Sequence, residues 1–582
     1  MLTSKPRRGG AAKPARLGDG RRDDGGGATA VLWGTDAEPA AGPAAADAAK
    51  TLNIALLQGF VASLLMLAGS VGVGWLAGSS ALIRNPLFIL ARTSPAGVIT
   101  ATVMLCFGAL LLVRSWLRLA QRIGQWDSSA HPILIKALLL WGLPLALALP
   151  LFSRDVYAYI GQGRLMVQGL NPYTNGISAL NNYYSLGPDT LWTEAPTPYG
   201  PLFLWIEQFA VWVGFGVPEL SIIPFRLVAL AGVALCAIFI PKLAAVHGIN
   251  PQRALWLMVL NPVLLLNFIA SAHNDSLMLG LVVAGVYCAS TRKPWLAIVL
   301  VTASIAVKPI TLIALPFVGL LWAGSKAGWG RKVWCWLLTA LVSFGLLWIC
   351  GLANGLGFGW IGALNTPGKL WIWYAPVGTT GAVLGWLADQ IGVSGDIVTN
   401  VVHLIGKALS VAVVVWLAVR RVDGPAYGAV VVRRMAWAFA AVVLLAPMIQ
   451  PWYMLWLLAF FAVTGIEATW QLRTVLCLTT FFTLIALTDQ LSVFQWIPIA
   501  IVRGVAIAVG VSFALHMIFI DRKTKGVFGR PTALLWPPAA KDAAAEGSGA
   551  PGSAQGAAAQ RSGTQSSAAQ RSVAQRFRWL RR

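Results

Sequence analysis

Charge is what this sequence has least of. Only 11% of its 582 residues are Asp, Glu, Lys or Arg, where a soluble domain carries about a quarter, and the acidic residues number just 21. So little charge excludes an ordinary soluble enzyme. Histidine is also scarce, at 5 residues, and neither HxH nor HExxH occurs, so no spacing marks a zinc centre. The 6 cysteines, Cys106, Cys236, Cys288, Cys335, Cys350 and Cys477, lie in or beside apolar segments. None forms a metal-ligand pair, and all read as buried, inert thiols.

What is present is apolar: 57% of the chain is hydrophobic, with 27 Trp. Runs of about 18 or more apolar residues recur, each long enough to cross a bilayer as a helix. The expectation is an all-α polytopic membrane protein of about 14 spans. They fall near 53–76, 98–117, 132–152, 219–242, 253–271, 276–290, 294–309, 310–325, 333–351, 398–419, 434–449, 452–465, 472–488 and 497–520. The formal charge of +23 does not point to nucleic acid, because the cations fall between apolar runs and in the C-terminal tail. Arg114, Arg118 and Arg122 place one loop in the cytoplasm. Lys242 with Arg253, Arg292 with Lys293, and Lys326 with Arg331 and Lys332 do the same for later loops. Outer loops keep only scattered cations such as Arg84, Arg92, Lys308 and Lys369.

Residues 1–50 and 526–582 lack a periodic apolar face and read as disordered cytoplasmic tails, the second basic, on either side of a membrane domain over 51–525. A cleavable signal peptide is not expected, since the first apolar run starts near Ile54.

The longest polar interruption in the apolar middle begins at Ser153, and charge bias puts the whole loop 153–218 outside. Asp155, Tyr159 and Gln162 fall on one helical face, and Val156, Ile160, Gly163 and Val167 on another. This pattern predicts a short amphipathic helix on the outer membrane surface, capped by Ser153 and stopped by Gly169 before Asn171-Pro172-Tyr173. A second helix is expected from Pro201, after the rigid connector Pro196–Pro201. Asp155 has a bland reading, a helix cap paired with Arg154 or Arg164. Against it, an ionisable group at the membrane boundary is costly unless used. Tyr157, Tyr159, Gln162, Asn171 and Tyr173 surround it with polar and aromatic groups.

Other loops bring isolated polar groups to the same depth: His273-Asn274-Asp275, Lys308-Pro309, and Gln450-Pro451-Trp452-Tyr453. A metal site built from His273, Asp275 and Asp155 has no supporting spacing. A carboxylate, a cation and an aromatic platform in one outward cavity suit a membrane-borne phosphosugar, with the cation on phosphate and aromatic faces on the sugar ring.

At these residues the chain resembles the actinobacterial polyprenol-phosphomannose-dependent α-1,6-mannosyltransferases of the Mpt type, in the GT-C superfamily. The matching pieces include Phe152-Ser-Arg-Asp-Val-Tyr-Ala-Tyr159, Gly169-Leu-Asn-Pro-Tyr173 and Ala195-Pro-Thr-Pro-Tyr-Gly-Pro201. His273-Asn-Asp-Ser-Leu-Met278, Lys308-Pro309, Gly355-Leu-Gly-Phe-Gly-Trp360 and Gln450-Pro-Trp-Tyr-Met-Leu-Trp456 extend it, in order, over about residues 50–520. The resemblance implies a GT-C enzyme of the plasma membrane with its active site outside, and the span count with the charge bias puts both termini in the cytoplasm. It implies mannose transfer from polyprenyl phosphomannose to a lipid-linked mannan, through an α-1,6 bond, in building the lipomannan and lipoarabinomannan core. It places the catalytic base on Asp155.

Phosphate is already a good leaving group, so one base suffices, and a donor expected to be β-linked with an α-linked product means a single displacement with inversion. No cofactor is required. Lys308, with Arg154, Arg226 or Arg164 as alternatives, would meet the donor phosphate. Asp275 and Glu194 are candidates for acceptor contact, and Tyr199 belongs with the sugar-binding aromatics. Sugar-nucleotide binding is not expected, because no Gly-rich βαβ unit exists. Competing readings are a GT-C enzyme using polyprenyl phosphoarabinose, a lipid-linked sugar flippase, and a scaffold for envelope enzymes.

Overall fold

The computed structural model describes residues 43–363, 370–422, 424–489 and 491–536. Residues 1–42 and 537–582 of the two expected tails lie outside these residues, as does Lys369. The described parts of the tails are not disordered: Pro43–Val73 is helical through 43–50, and helices Lys525–Gly529 and Pro531–Leu535 bury Val527, Phe528 and Leu535. The chain divides into the units Met1–Ala49 and Lys50–Arg582, and everything below concerns the second.

Every element among the described residues is helical, and the punctuation of the sequence explains where the helices start and stop. Proline opens one helix after another, at Pro95, Pro201, Pro218, Pro251, Pro294 and Pro376. Its missing N–H costs nothing there, and its fixed φ already suits a helix. Ser94 and Asn250 cap their helices by accepting backbone N–H bonds from the first turn.

Nine helices are long and apolar enough to cross a membrane among the described residues. A tenth span forms if Pro251–Met258 and Pro262–Ala270, bent by 49°, count as one. The remaining expected spans are occupied by four shorter apolar helices: Asp275–Ser290, Pro294–Val307, Pro309–Ala323 and Tyr453–Thr464. Large apolar side chains such as Leu139, Leu147, Leu341 and Leu404 stay more than 60% exposed. A surface of this kind fits lipid and not water.

Several expectations change here. Helix Asp155–Val167 forms where predicted, but nine of its residues are buried, so it does not lie on the surface. Gly161 packs against Ile177 and Gly163 against the backbone of Glu207, each so closely that an added Cβ would lie 2.6 Å and 2.4 Å away. These small residues let neighbouring segments close over the helix on two sides. Ser153 is not the cap residue, which is Arg154, although Ser153 Oγ does accept the Asp155 N–H at 3.1 Å. Gly169, with φ of 74°, ends the helix as expected.

Helix Pro376–Gln390 was not anticipated, because Gly, Thr and Asp dilute its apolar pattern. Four cysteines are buried, but Cys350 is half-buried and Cys477 is exposed. Arg92 is no loose outer-loop cation. It is buried and donates to the carbonyls of Val71 and Gly74 and to Ser492 Oγ.

Candidate active site

The short helices share an end. Asp275 begins one, Lys308 follows another and Pro309 begins a third, while Tyr453 begins the fourth. At 1.5 Å per residue, elements of 12 to 16 residues reach about 18–24 Å, short of a hydrocarbon core of about 30 Å. Their polar ends are thereby drawn together at one depth, recessed within the bundle.

A cleft opens at that junction, with about 600 Å³ of space including its open mouth. Asp155, Ala158 and Gln162 line it from the buried helix, and Trp192, Ala195, Pro196, Pro198 and Tyr199 from the connector. Lys308, Gln450, Trp452 and Tyr453 complete the wall. Seven of the residues singled out in the sequence therefore meet in one place, although they come from segments as far apart as positions 155 and 453.

Backbone strain marks the place where they meet. Phe152 and Ala272 both adopt left-handed backbone angles, with φ of 63° and 57°, at roughly 1–2 kcal/mol each for a residue with a Cβ. The two segments are tied to one another. Leu151 N–H donates to the Ala270 carbonyl at 3.4 Å, and Ser271 Oγ donates to the Leu151 carbonyl at 2.6 Å. This link presents Asp155 and His273 together.

Asp155 Oδ2 lies 3.8 Å from His273 Nε2, too far for a hydrogen bond. Burial pushes the Asp155 carboxyl up to about 6; the charge of Lys308 opposes that shift and Asp275 adds to it. Burial, helped by Lys308, holds His273 well below its ordinary value. At neutral pH the pair is thus a carboxylate beside a neutral imidazole, and His273 does not quench the charge of Asp155.

Lys308 is held in a fixed position. Its Nζ donates to both Asp275 oxygens, at 3.0 and 2.9 Å. Trp456 Nε1 donates to Asp275 Oδ1 at 2.9 Å. The rings of Tyr199, Tyr453 and Trp456 lie 5.3–5.8 Å from the ammonium, within cation–π range. An ammonium has three donors, so two on Asp275 leave one for the cleft.

Buried polar groups also cluster here without a protein partner: both ring nitrogens of His273, both amide atoms of Asn274, and Trp452 Nε1. The His273 and Trp452 rings are 4.0 Å apart. An unsatisfied buried group costs about 1–3 kcal/mol. A cluster beside a cleft is the arrangement expected where a polyhydroxylated ligand completes the bonding.

The other singled-out residues are placed elsewhere. Arg226 cannot meet a phosphate: its guanidinium is spent on the carbonyls of Leu145, Ala148, Ile269 and Ala270. Arg154 stacks on Trp75 at 4.3 Å, donates to the Gly187 carbonyl and faces a different cavity. Arg164, near the far end of its helix, reaches the Gly216 carbonyl at 3.4 Å. Neither arginine forms the expected pair with Asp155.

Asp275 is fully buried as the partner of Lys308, which removes it from acceptor contact. Glu194 is exposed and accepts from Ser178 Oγ. Tyr157 donates to the Trp75 carbonyl, Tyr159 packs behind Tyr199, and Asn171 closes a turn by accepting the Tyr173 N–H. Tyr173 supports the wall indirectly, donating to the Tyr199 carbonyl at 3.0 Å. Among the described residues, no group of three or more His, Cys, Asp or Glu comes together as a metal site would require.

Trp192 has no signal in the sequence, because it sits in a stretch with no periodicity to orient it, and Ala158 is visible only as part of the Phe152–Tyr159 motif. Trp456 was visible only as part of the Gln450–Trp456 motif.

Comparison with known proteins gives a family. Residues 56–324 match the model of the alpha-(1->6)-mannopyranosyltransferase N-terminal domain, and residues 375–515 that of the MptB C-terminal domain. A protein of Mycolicibacterium smegmatis, named as a probable alpha-(1->6)-mannopyranosyltransferase, is 32% identical over 73% of this chain and 81% of its own length. Alpha-(1->6)-mannopyranosyltransferase A of Mycobacterium tuberculosis is 31% identical over 69% and 78%. Alpha-(1->6)-mannopyranosyltransferase B of Corynebacterium glutamicum is 25% identical over 79% and 78%. No solved structure matches.

Proposed function

Since the chain belongs to the alpha-(1->6)-mannopyranosyltransferase family, we propose that it transfers mannose from polyprenyl phosphomannose to a lipid-linked mannan, forming an α-1,6 bond with Asp155 as the base. The observation that carries this reading is the meeting of Asp155 and Lys308 in one cleft recessed within the membrane-spanning helices.

The acceptor 6-hydroxyl gives its proton to Asp155 as its oxygen attacks the anomeric carbon. The bond from that carbon to the phosphate oxygen breaks, and polyprenyl phosphate departs. One displacement turns a β-linked donor into an α-linked product. No general acid is required, because phosphate leaves readily, in contrast to the paired carboxylates of glycoside hydrolysis. A carboxyl with its pKa near 6 is a stronger base than an ordinary aspartate and is still mostly ionised at neutral pH.

Lys308, with its remaining donor, stabilises charge growing on the phosphate. Its position is set before the reaction by Asp275 and three rings, so little reorganisation is needed. Trp452, Tyr453 and Tyr199 give the sugar rings faces to pack on, while His273 and Asn274 supply partners for hydroxyls. No cofactor enters this scheme. The domain assignment 51–525, an outward-facing site and a role in lipomannan and lipoarabinomannan core synthesis belong to the same proposal.

The transport reading has little support. Between Asp275 at the cleft and Ser290 at its other end, helix Asp275–Ser290 carries only Ser276 and Tyr287 as polar residues, which makes no charged pathway along it.

The test is membranes containing the protein, labelled polyprenyl phosphomannose and a short α-1,6-mannoside, with linkage analysis of the product. An α-1,6-linked extension is expected. Transfer from polyprenyl phosphoarabinose instead, or another linkage, would overturn the assignment.

A further inference from the structure

Three short elements run between the cleft and a second cavity. Helix Asp275–Ser290 leaves the cleft and ends at the cavity, Pro294–Val307 returns, and Pro309–Ala323 leaves again. The second cavity therefore lies at the opposite end of the bundle, with about 2020 Å³ of space including its mouth.

Its wall carries Arg292, Lys326 and Arg331 and no Asp or Glu. All three cations are exposed, and among the described residues none forms an ion pair. Arg292 occupies a left-handed position, φ 61°, just past a helix end where glycine is the usual choice. An arginine is thus kept at a strained position facing the cavity. Beside the cations are two polar atoms with no protein partner, His247 Nε2 and Ser290 Oγ. His247 Nδ1 lies 3.0 Å from the Val463 carbonyl and must carry the proton to bond it, so in the neutral ring Nε2 is left as an acceptor.

The rim is aromatic. Trp295 is 56% exposed and packs edge-on against Trp322, a cavity residue, at 5.1 Å. Exposed tryptophans of this kind settle at headgroup depth.

We propose that this cavity binds the headgroup of an anionic glycerophospholipid that carries a free hydroxyl. Its phosphate meets Arg292, Lys326 and Arg331, and its hydroxyl meets His247 Nε2 and Ser290 Oγ. Basic pockets between spanning helices are the physical setting for such recognition. A general excess of cations on one side of the membrane would account for the charge. It would not account for the cavity, the aromatic rim or the unpartnered acceptor. The site is independent of the mannosyl-transfer reading.

The test measures lipid binding to the full chain in detergent, by native mass spectrometry and thermal unfolding. The probes are phosphatidylglycerol, phosphatidic acid, phosphatidylcholine and inorganic phosphate. Phosphatidylglycerol should bind and raise the unfolding midpoint, phosphatidic acid should bind several-fold more weakly, and the other two should do neither.

The double variant Arg292→Gln/Lys326→Gln should weaken phosphatidylglycerol binding about 30-fold (about 2 kcal/mol), at the strength of two interfacial cations. Its unfolding in phosphatidylcholine should be unchanged. Equal binding of phosphatidylcholine, a midpoint shift reproduced by inorganic phosphate, or phosphatidylglycerol binding indifferent to the double substitution would each overturn the site. Phosphatidic acid binding as tightly as phosphatidylglycerol would overturn the hydroxyl recognition.

Discussion

The backbone N–H of Gly200 donates to the carbonyl of Val307 at 3.0 Å, and this bond fastens the Pro-rich connector to the end of the helix that leads into Lys308. Tyr199 and Lys308 stand on either side of the link, which is why an aromatic wall and a cation from segments a hundred residues apart share one cleft. An added Cβ at Gly200 would lie 2.4 Å from the Ala306 carbonyl oxygen, so only glycine allows the approach.

Gly200→Ala should therefore push the connector away from Lys308. We expect mannosyl transfer to fall about tenfold or more, since small misplacements of positioning groups are costly, while the protein still inserts and folds. Steady-state rates in membranes with matched protein levels check this; full activity would mean that the connector does not position the site.

Asp155→Asn should abolish transfer without loss of insertion, because the amide cannot take the acceptor proton. The same assignment fixes a pH dependence. With the carboxyl pushed up to about 6, the base is protonated below that value. Activity should rise as pH increases through about 6 and level off above it. A rate profile flat from pH 5 to 8 would contradict Asp155 as the base.

Lys308 and Asp275 form a pair with Asp275 fully buried. Lys308→Ala leaves that carboxylate unpaired, a change worth about 3–5 kcal/mol in stability. The unfolding midpoint should drop along with donor use. Lys308→Ala/Asp275→Ala should recover most of the midpoint and none of the transfer. Recovery of both would reduce Lys308 to a structural role.

Arg226→Gln should act on the fold and not on the donor. Its guanidinium joins the carbonyls of Leu145 and Ala148 to those of Ile269 and Ala270, behind the strained Phe152 and Ala272. Lower thermal stability with a donor KM close to wild type is the expected pattern. A large rise in donor KM at unchanged stability would return Arg226 to the phosphate site.

The segments that were read well are those whose signal is local. Apolar length marks the spans, and proline and capping Ser or Asn mark their starts. Asp155, Lys308 and Gln450-Pro-Trp-Tyr stood out because each is a polar break in an apolar stretch. The arginines cannot be told apart in the sequence for a physical reason. Arg226, Arg154 and Arg164 carry the same charge in the sequence, and only packing shows that one is consumed by carbonyls, one by Trp75 and the Gly187 carbonyl, and one by a distant turn. Helix Asp155–Val167 has the sequence pattern of a surface helix because a polar face looks the same whether it meets water or an enclosed cleft.

The sequence by itself determined that the chain is helical, apolar and built around polar groups at the ends of spans, because hydropathy, proline placement and charge spacing act over a few residues. Only the tertiary structure decided which of those groups meet. It selected Lys308 over three arginines, tied Asp275 to Lys308, and set His273 beside Asp155, because these pairings depend on backbone links such as Gly200 to Val307 and Ser271 to Leu151. Such links join residues about a hundred positions apart, and no local pattern encodes them.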